Sequence, residues 1–210
     1  HGSGIKNISY SKNFLPSEKN ITNTVSEVNP QIISDQDGIL HIVGDFYPPY
    51  STIFHISYNG TWSDVSEVGT GAFGSVHPRV SIDNQGNLHI IWVEIIYTPT
   101  TTYYLKHTTL NKTSGSWNTE SIGISQKLSN PDPDIAIDDS NNIHIVWTDN
   151  PSYPSEGDRD VYYNRYDADE GSWTNTKLVS EGCYNASNTP SINIDSNGTI
   201  NIVWVDVTPL

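Results

Sequence analysis

One stretch recurs four times along the chain, as IISDQDGILHIVGDF, VSIDNQGNLHIIWVE, IAIDDSNNIHIVWTD and INIDSNGTINIVWVD. Aligned on Asp35, Asp83, Asp138 and Asp195, the copies lie 48 to 57 residues apart, and each has a proline five residues upstream, at Pro30, Pro78, Pro133 and Pro190. A unit made of two short apolar strands across a polar turn cannot bury its own faces. It must stack on its copies, and a repeat of this length points to an array of such units.

The pattern inside each copy gives the local structure. Branched residues alternate ahead of the aspartate, as in Val80 and Ile82 or Ile192 and Ile194, with the period of a strand. Asp-x-x-Gly follows, a tight turn in which glycine supplies positive φ and Asn141 takes its place in the third copy. The HIVW run that returns is apolar at nearly every position, as expected of a strand covered on both faces. Downstream, FHISYNG, YYLKHTTL and DVYYNRYD predict a third strand. A Gly-Thr/Ser-Trp turn at Trp62, Trp117 and Trp173 leads to a fourth, around SDVSEV, NTESI and NTKLVS. Four strands in an antiparallel meander make one blade of a β-propeller.

The fourth copy stops after its second strand, and the chain opens with what it lacks: ISYSKN from Ile8 echoes ISYNGT from Ile56, and VSEV recurs at 25–28 and 65–68. We therefore expect an all-β fold, a four-bladed β-propeller of four-stranded antiparallel blades at about 30–68, 78–124, 131–180, and 190–207 plus 5–28. The last is a composite blade that closes the ring; a fragment of a larger propeller or an open sheet stack is the alternative. Residues 1–4 read as a tag remnant, and 5–210 as a single domain.

The assembled pattern, I-D-x-x-G-x-x-H-I-V-W-x-D followed by G-T/S-W, resembles the Asp-box, sialidase-like repeats. The likeness covers nearly the whole chain and is loose. Neither Ser57 to Trp62 nor Asp167 to Trp173 completes the family's Ser-x-Asp-x-Gly-x-Thr-Trp box, and four blades resemble hemopexin-like domains in number alone. A sialidase needs an arginine triad, whereas this chain has Arg79, Arg159 and Arg165, two of them in one segment. The resemblance thus implies the fold and gives little support to hydrolysis.

With 24 acidic against 10 basic residues, the net charge of −14 repels phosphate backbones and anionic lipid, which argues against nucleic acid as a partner. No apolar run reaches the roughly 20 residues of a membrane helix, and no signal peptide is evident, so a soluble piece without membrane insertion is expected. Six Asn-x-Ser/Thr sequons, at Asn7, Asn20, Asn59, Asn111, Asn185 and Asn197, favour an extracellular or cell-surface location. Cys183 is the single cysteine, so no intrachain disulfide forms. Oligomeric state is not written in the sequence.

Residues present in every copy serve the frame. His41, His89 and His144, with Asn201 fourth, sit at a fixed offset from the turn aspartate, and a bond to neighbouring backbone explains them better than a ring of metal ligands. Trp92, Trp147 and Trp204 are expected to pack between blades. Function is expected where the copies diverge, in the loops DFYPPYST, EIIYTPTTT and DNPSYPSEGDRD and, between blades, GTGAFGSVH, SQKLSNPDP and SEGCYNASNT. These bring Tyr47, Tyr50, Tyr97, Tyr153 and Arg159 to one rim beside Glu94, Asp149 and Asp206. Aromatic faces flanked by carboxylates suit sugar rings, and equally a cationic peptide.

The expected function is a non-catalytic extracellular recognition module for a glycan or an extracellular protein. A glycoside hydrolase or lyase with carboxylates such as Glu94 and Asp149 over the channel, and a structural propeller of a surface layer or virion, are the alternatives. No catalytic residue is assigned. Acid clusters such as Asp132 and Asp134 lack the spacing of a calcium loop, so no cofactor is assigned. Calcium or another ion held by carbonyls in the central channel is the one candidate.

Overall fold

The aspartate of each repeat builds its turn in the same way. Its backbone carbonyl accepts the N–H of the residue three positions on, Gly38, Gly86, Asn141 and Gly198, while its Oδ1 accepts two further N–H groups. These are Asp37 and Ile39 on Asp35, Gln85 and Asn87 on Asp83, Ser140 and Asn142 on Asp138, and Asn197 and Thr199 on Asp195, all within 2.8–3.0 Å. Gly86 and Asn141 hold φ of 82° and 63° there, a region asparagine tolerates because its short polar side chain bonds locally. The sequence reading of these four turns holds.

A computed structural model of the chain describes residues 9–10, 19–20, 29–46, 51–69, 73–98, 100–122, 131–150, 159–181 and 187–206. Strands β1 (Ser9–Tyr10) and β2 (Lys19–Asn20) pair with each other. The first sheet holds β3 (Gln31–Ser34), β4 (Leu40–Phe46), β5 (Thr52–Tyr58) and β6 (Ser66–Gly69), and the second β7 (Ser75–Ile82), β8 (Leu88–Thr98), β9 (Thr100–Leu110) and β10 (Trp117–Ser121). The third holds β11 (Asp134–Ile137), β12 (Ile143–Asp149) and β13 (Asp160–Asp167), and its fourth strand is split into β14 (Ser172–Trp173) and β15 (Lys177–Leu178), both paired to β13. Last come β16 (Ser187–Ile194) and β17 (Ile200–Asp206), a two-stranded sheet. The chain is all-β and the three full sheets are antiparallel meanders, as expected. Among the described pairings β17 meets β16 and β1 meets β2, and none joins the two pairs into the composite blade expected from the sequence.

Proline ahead of the repeat has a structural reason. In β7 and β16 the register shifts between Val76 and Arg79 and between Asn188 and Ser191, and the residue before each proline, His77 or Thr189, has positive φ. At such a bulge the ladder is already interrupted, so the missing N–H of Pro78 or Pro190 removes no pairing.

Sheets stack by one rule. In the first sheet Val43 and Ile53 share a face, and they form one cluster with Leu88, Ile90 and Trp92 of the second. Ile91, Val93 and Leu105, on the opposite face of that second sheet, cluster with Ile135, Ile143, Ile145 and Trp147 of the third. The histidine-bearing face of each sheet thus receives the tryptophan-bearing face of the next. Trp92 lies so close to Gly69 that a Cβ there would stand 2.8 Å from its ring. At the two ends of the described array the rule runs out: Val203, equivalent to the fully buried Val43, Ile91 and Val146, is 66% exposed, and Ile32 of β3 is 58% exposed.

Trp92 and Trp147 therefore pack between sheets as expected, while the histidines do something other than the backbone bond predicted for them. His89 Nε2 lies 3.3 Å from Asp83 Oδ2 and its Nδ1 2.9 Å from His107 Nε2; His107 Nδ1 lies 2.9 Å from Glu120, which also accepts Trp173 Nε1 of the third sheet at 3.2 Å. His41 meets His55 at 2.9 Å, and His144 bridges Asp138 and the Tyr163 hydroxyl. Burial pushes the Asp83 carboxyl up, but the His89 and Asn87 bonds outweigh it and hold it at about 2. The Gly-x-Trp tryptophans join in as well: Trp117 and Trp173 meet His55 and His107 of the preceding sheet in T-shaped contacts.

Candidate functional site

Antiparallel meanders put the tight turns at one end of the stack and the longer connections at the other. Turn-to-turn bonds mark the first end. Asn84 N donates to Asn141 Oδ1, Lys112 N to Asn87 Oδ1, and Ala168 N to Asn142 Oδ1, all within 2.8–3.0 Å. The described members of the expected site, Glu94, Tyr97, Asp149, Arg159 and Asp206, belong to the other end.

There the second sheet departs from its neighbours. β8 and β9 each run for 11 residues where β4 and β12 run for 7, so EIIYTPTTT is mostly a hairpin rather than the loop expected where the copies diverge. At about 3.3 Å per residue the arm projects on the order of 10 Å beyond the other second strands. Tyr97 stands on it, 55% exposed, and meets Phe73 edge-on with ring centroids 5.4 Å apart; Phe73 is itself 40% exposed. The Ile95 N–H donates to the Gly74 carbonyl at 2.8 Å and ties the arm to the segment that carries Phe73. Below this pair Glu94 is engaged by Lys106 at 2.9 Å. Sequence reasoning found Tyr97 and missed Phe73. The signal was there, one aromatic in the glycine-rich connection GTGAFGSVH.

The third sheet supplies a second group. Asp149 ends β12 opposite Asp160. It is buried, its Oδ1 has no hydrogen-bond partner, and burial raises its pKa to about 6 against one backbone bond from Asn150. Asp160 is satisfied by the Ser180 hydroxyl at 2.8 Å. Trp147 Nε1, also buried and unpartnered, belongs to an indole stacked on Tyr162 at 5.9 Å, whose hydroxyl is pushed up by burial and by Asp160 and Asp149. Arg159 reaches Asn188 Oδ1 at 3.3 Å, and Asp206 ends β17 in the open. In the first sheet the corresponding carboxylate is Asp45, one position earlier, raised by burial and held by Asn29.

The structure thus gathers Glu94 and Tyr97 on the second sheet and Asp149 and Arg159 on the third, with Asp206 at the end of β17. No described contact joins these sets. Tyr47, Tyr50 and Tyr153 lie outside the described residues. Among the described residues no three His, Cys, Asp or Glu side chains come together in a way that would hold a metal ion. One acidic cleft of about 300 Å³ opens at the turn end, between Asp138, Asp139 and Asp195.

No protein-family model matches the chain, and no curated protein matches it in sequence. Solved structures do resemble it in fold. Sialidase NanB from Streptococcus pneumoniae, as its K499G mutant, superposes over 94% of this chain and 32% of its own at 9% identity, with a TM-score of 0.58. A thermostable family-43 glycoside hydrolase matches over 86% of this chain and 66% of its own at 10% identity and a TM-score of 0.56, and polysaccharide lyase Uly1 over 95% and 56% at 10% and 0.54. The chain spans between a third and two thirds of the length of these proteins. At such identity the likeness is one of fold: stacked antiparallel sheets in the propeller-like arrangement of sialidases and glycosidases.

Proposed function

We propose that this chain is a non-catalytic extracellular recognition module that binds a glycan at the loop end of its sheets. The exposed Tyr97–Phe73 pair carries this reading, since two large rings held away from the core, one on the paired arm and one on the segment tied to it, form a ready platform for the CH face of a sugar. Glu94, Asp149, Arg159 and Asp206 offer groups that bond hydroxyls, and the sequence assigns Tyr47, Tyr50 and Tyr153 to the same face. The structural neighbours, a sialidase, a glycoside hydrolase and a polysaccharide lyase, support a carbohydrate ligand over a protein one. Four blades, the last completed by residues 5–28, belong to the same reading. A glycan array tests it. A hit should weaken at least tenfold for Tyr97→Ala and for Phe73→Ala, about 1.4 kcal/mol each. Binding unchanged in both variants would move the site elsewhere.

Asp149 favours a second reading, a glycoside hydrolase or lyase. A carboxyl with its pKa at about 6 is protonated often enough near neutrality to donate to a leaving oxygen. Turnover of a polysaccharide or chromogenic glycoside that Asp149→Asn abolishes would establish it in place of the first.

A further inference from the structure

Asparagines at the turn end differ in what their amide nitrogens do. Asn84, Asn87 and Asn142 use their amide nitrogens inside the frame, donating to the Asp139 carbonyl, Asp83 Oδ2 and Asp138 Oδ2 at 2.8 Å each. None of the three begins an Asn-x-Ser/Thr sequon. Asn59, Asn111 and Asn197 do begin one, and among the described residues their amide nitrogens donate no hydrogen bond. All three are exposed, as are Thr61, Thr113 and Thr199 two positions on.

Their surroundings leave room for a bulky substituent. Asn59 and Asn197 precede Gly60 and Gly198, where even an added Cβ would meet nothing within 4 Å. In the third sequon, Asn111 Oδ1 accepts the N–H groups of Thr113 and Ser114 at 3.0 and 2.8 Å and the Ser114 hydroxyl at 3.1 Å, which fixes the carboxamide by its oxygen and leaves its nitrogen to solvent. These turns join strands three and four in the first two sheets and strands one and two in the last, and both kinds lie at the end opposite Tyr97 and Phe73.

We propose that Asn59, Asn111 and Asn197 are N-glycosylation sites, and that their glycans cover the turn end of the stack. In each transfer the Asn amide nitrogen forms a C–N bond to the anomeric carbon of a lipid-linked oligosaccharide. The lipid phosphate leaves with the electrons of the broken C–O bond, and the amide loses one proton. The proposal rests on the extracellular placement given above.

The full chain, exported behind a secretion leader from a cell with an oligosaccharyltransferase, is treated with peptide N-glycosidase in heavy-oxygen water and mapped by mass spectrometry. Heavy aspartate is expected at Asn59, Asn111 and Asn197. Each of Thr61→Ala, Thr113→Ala and Thr199→Ala should remove its own mark alone, whereas Asn84→Gln should remove none. An exported, folded chain unmarked at any of the three overturns the proposal. Finding the protein inside its source cell would instead defeat the extracellular placement, a separate failure.

Discussion

Replacing Asp149 with asparagine should make the protein more stable at neutral pH. The folded carboxyl has a pKa raised by burial to about 6, against 3.8 when exposed. The folded state therefore holds the proton more tightly than the unfolded state. Above pH 6 the buried charge costs about 3 kcal/mol, at 1.36 kcal/mol per pKa unit. The penalty shrinks as pH falls through 6 and vanishes below 3.8, where the residue is neutral in both states. The carboxamide that replaces it is neutral at every pH and similar in shape. For a chain of this size, Asp149→Asn should raise Tm by about 6–12 °C at pH 7.5, with the gain falling to zero near pH 3.5. Paired thermal melts of wild type and variant across that range isolate this one group, since every other titration is common to both. A gain that is absent at pH 7.5, or that persists at pH 3.5, would refute the placement of an unpaired carboxylate inside the third sheet.

Acid should act in the opposite direction through His55, whose ring burial pushes down to about 4. The unfolded state takes up its proton first, so about 3 kcal/mol of stability drains away between pH 6.5 and 4, and His55→Gln should flatten that limb of the melting profile. The same repeat position should behave differently in different copies: Val43→Ala costs about 2 kcal/mol from a sealed interface, and Val203→Ala changes chemical denaturation by less than about 0.5 kcal/mol. Gly69→Val forces a branched side chain into the Trp92 ring and should lower stability by about 1–3 kcal/mol, measured by urea unfolding.

What could be read from the sequence is what one copy of the repeat determines by itself. Turns at Asp35, Asp83, Asp138 and Asp195 depend on bonds within five residues, and the strand pattern depends on alternation, so both were legible. Contacts between copies were not. His55 and His107 stand at matching third-strand positions yet read as ordinary strand residues, because Trp117 and Trp173, which meet them from the neighbouring sheet, belong to the next copy of the repeat. Tyr97 was found from its proline-containing segment, while its placement on a long hairpin arm came from pairing between β8 and β9 that no local signal specifies. Phe73 was marked only as a lone aromatic among glycines, and the raised pKa of Asp149 follows from burial, which a strand-terminal aspartate does not disclose.

A stack in which every contact joins unlike faces has a direction, as a polymer does, and its two extremities are different chemical species. Here one extremity presents Ile32 and the other Val203 and Val205. Contact between like ends would repeat nothing found inside the molecule, whereas contact between unlike ends would repeat its own interior seams. A fourth blade completed by residues 5–28 would join these two ends, whereas an unclosed stack would associate head to tail, through the Ile32 face of one copy and the Val203 face of the next.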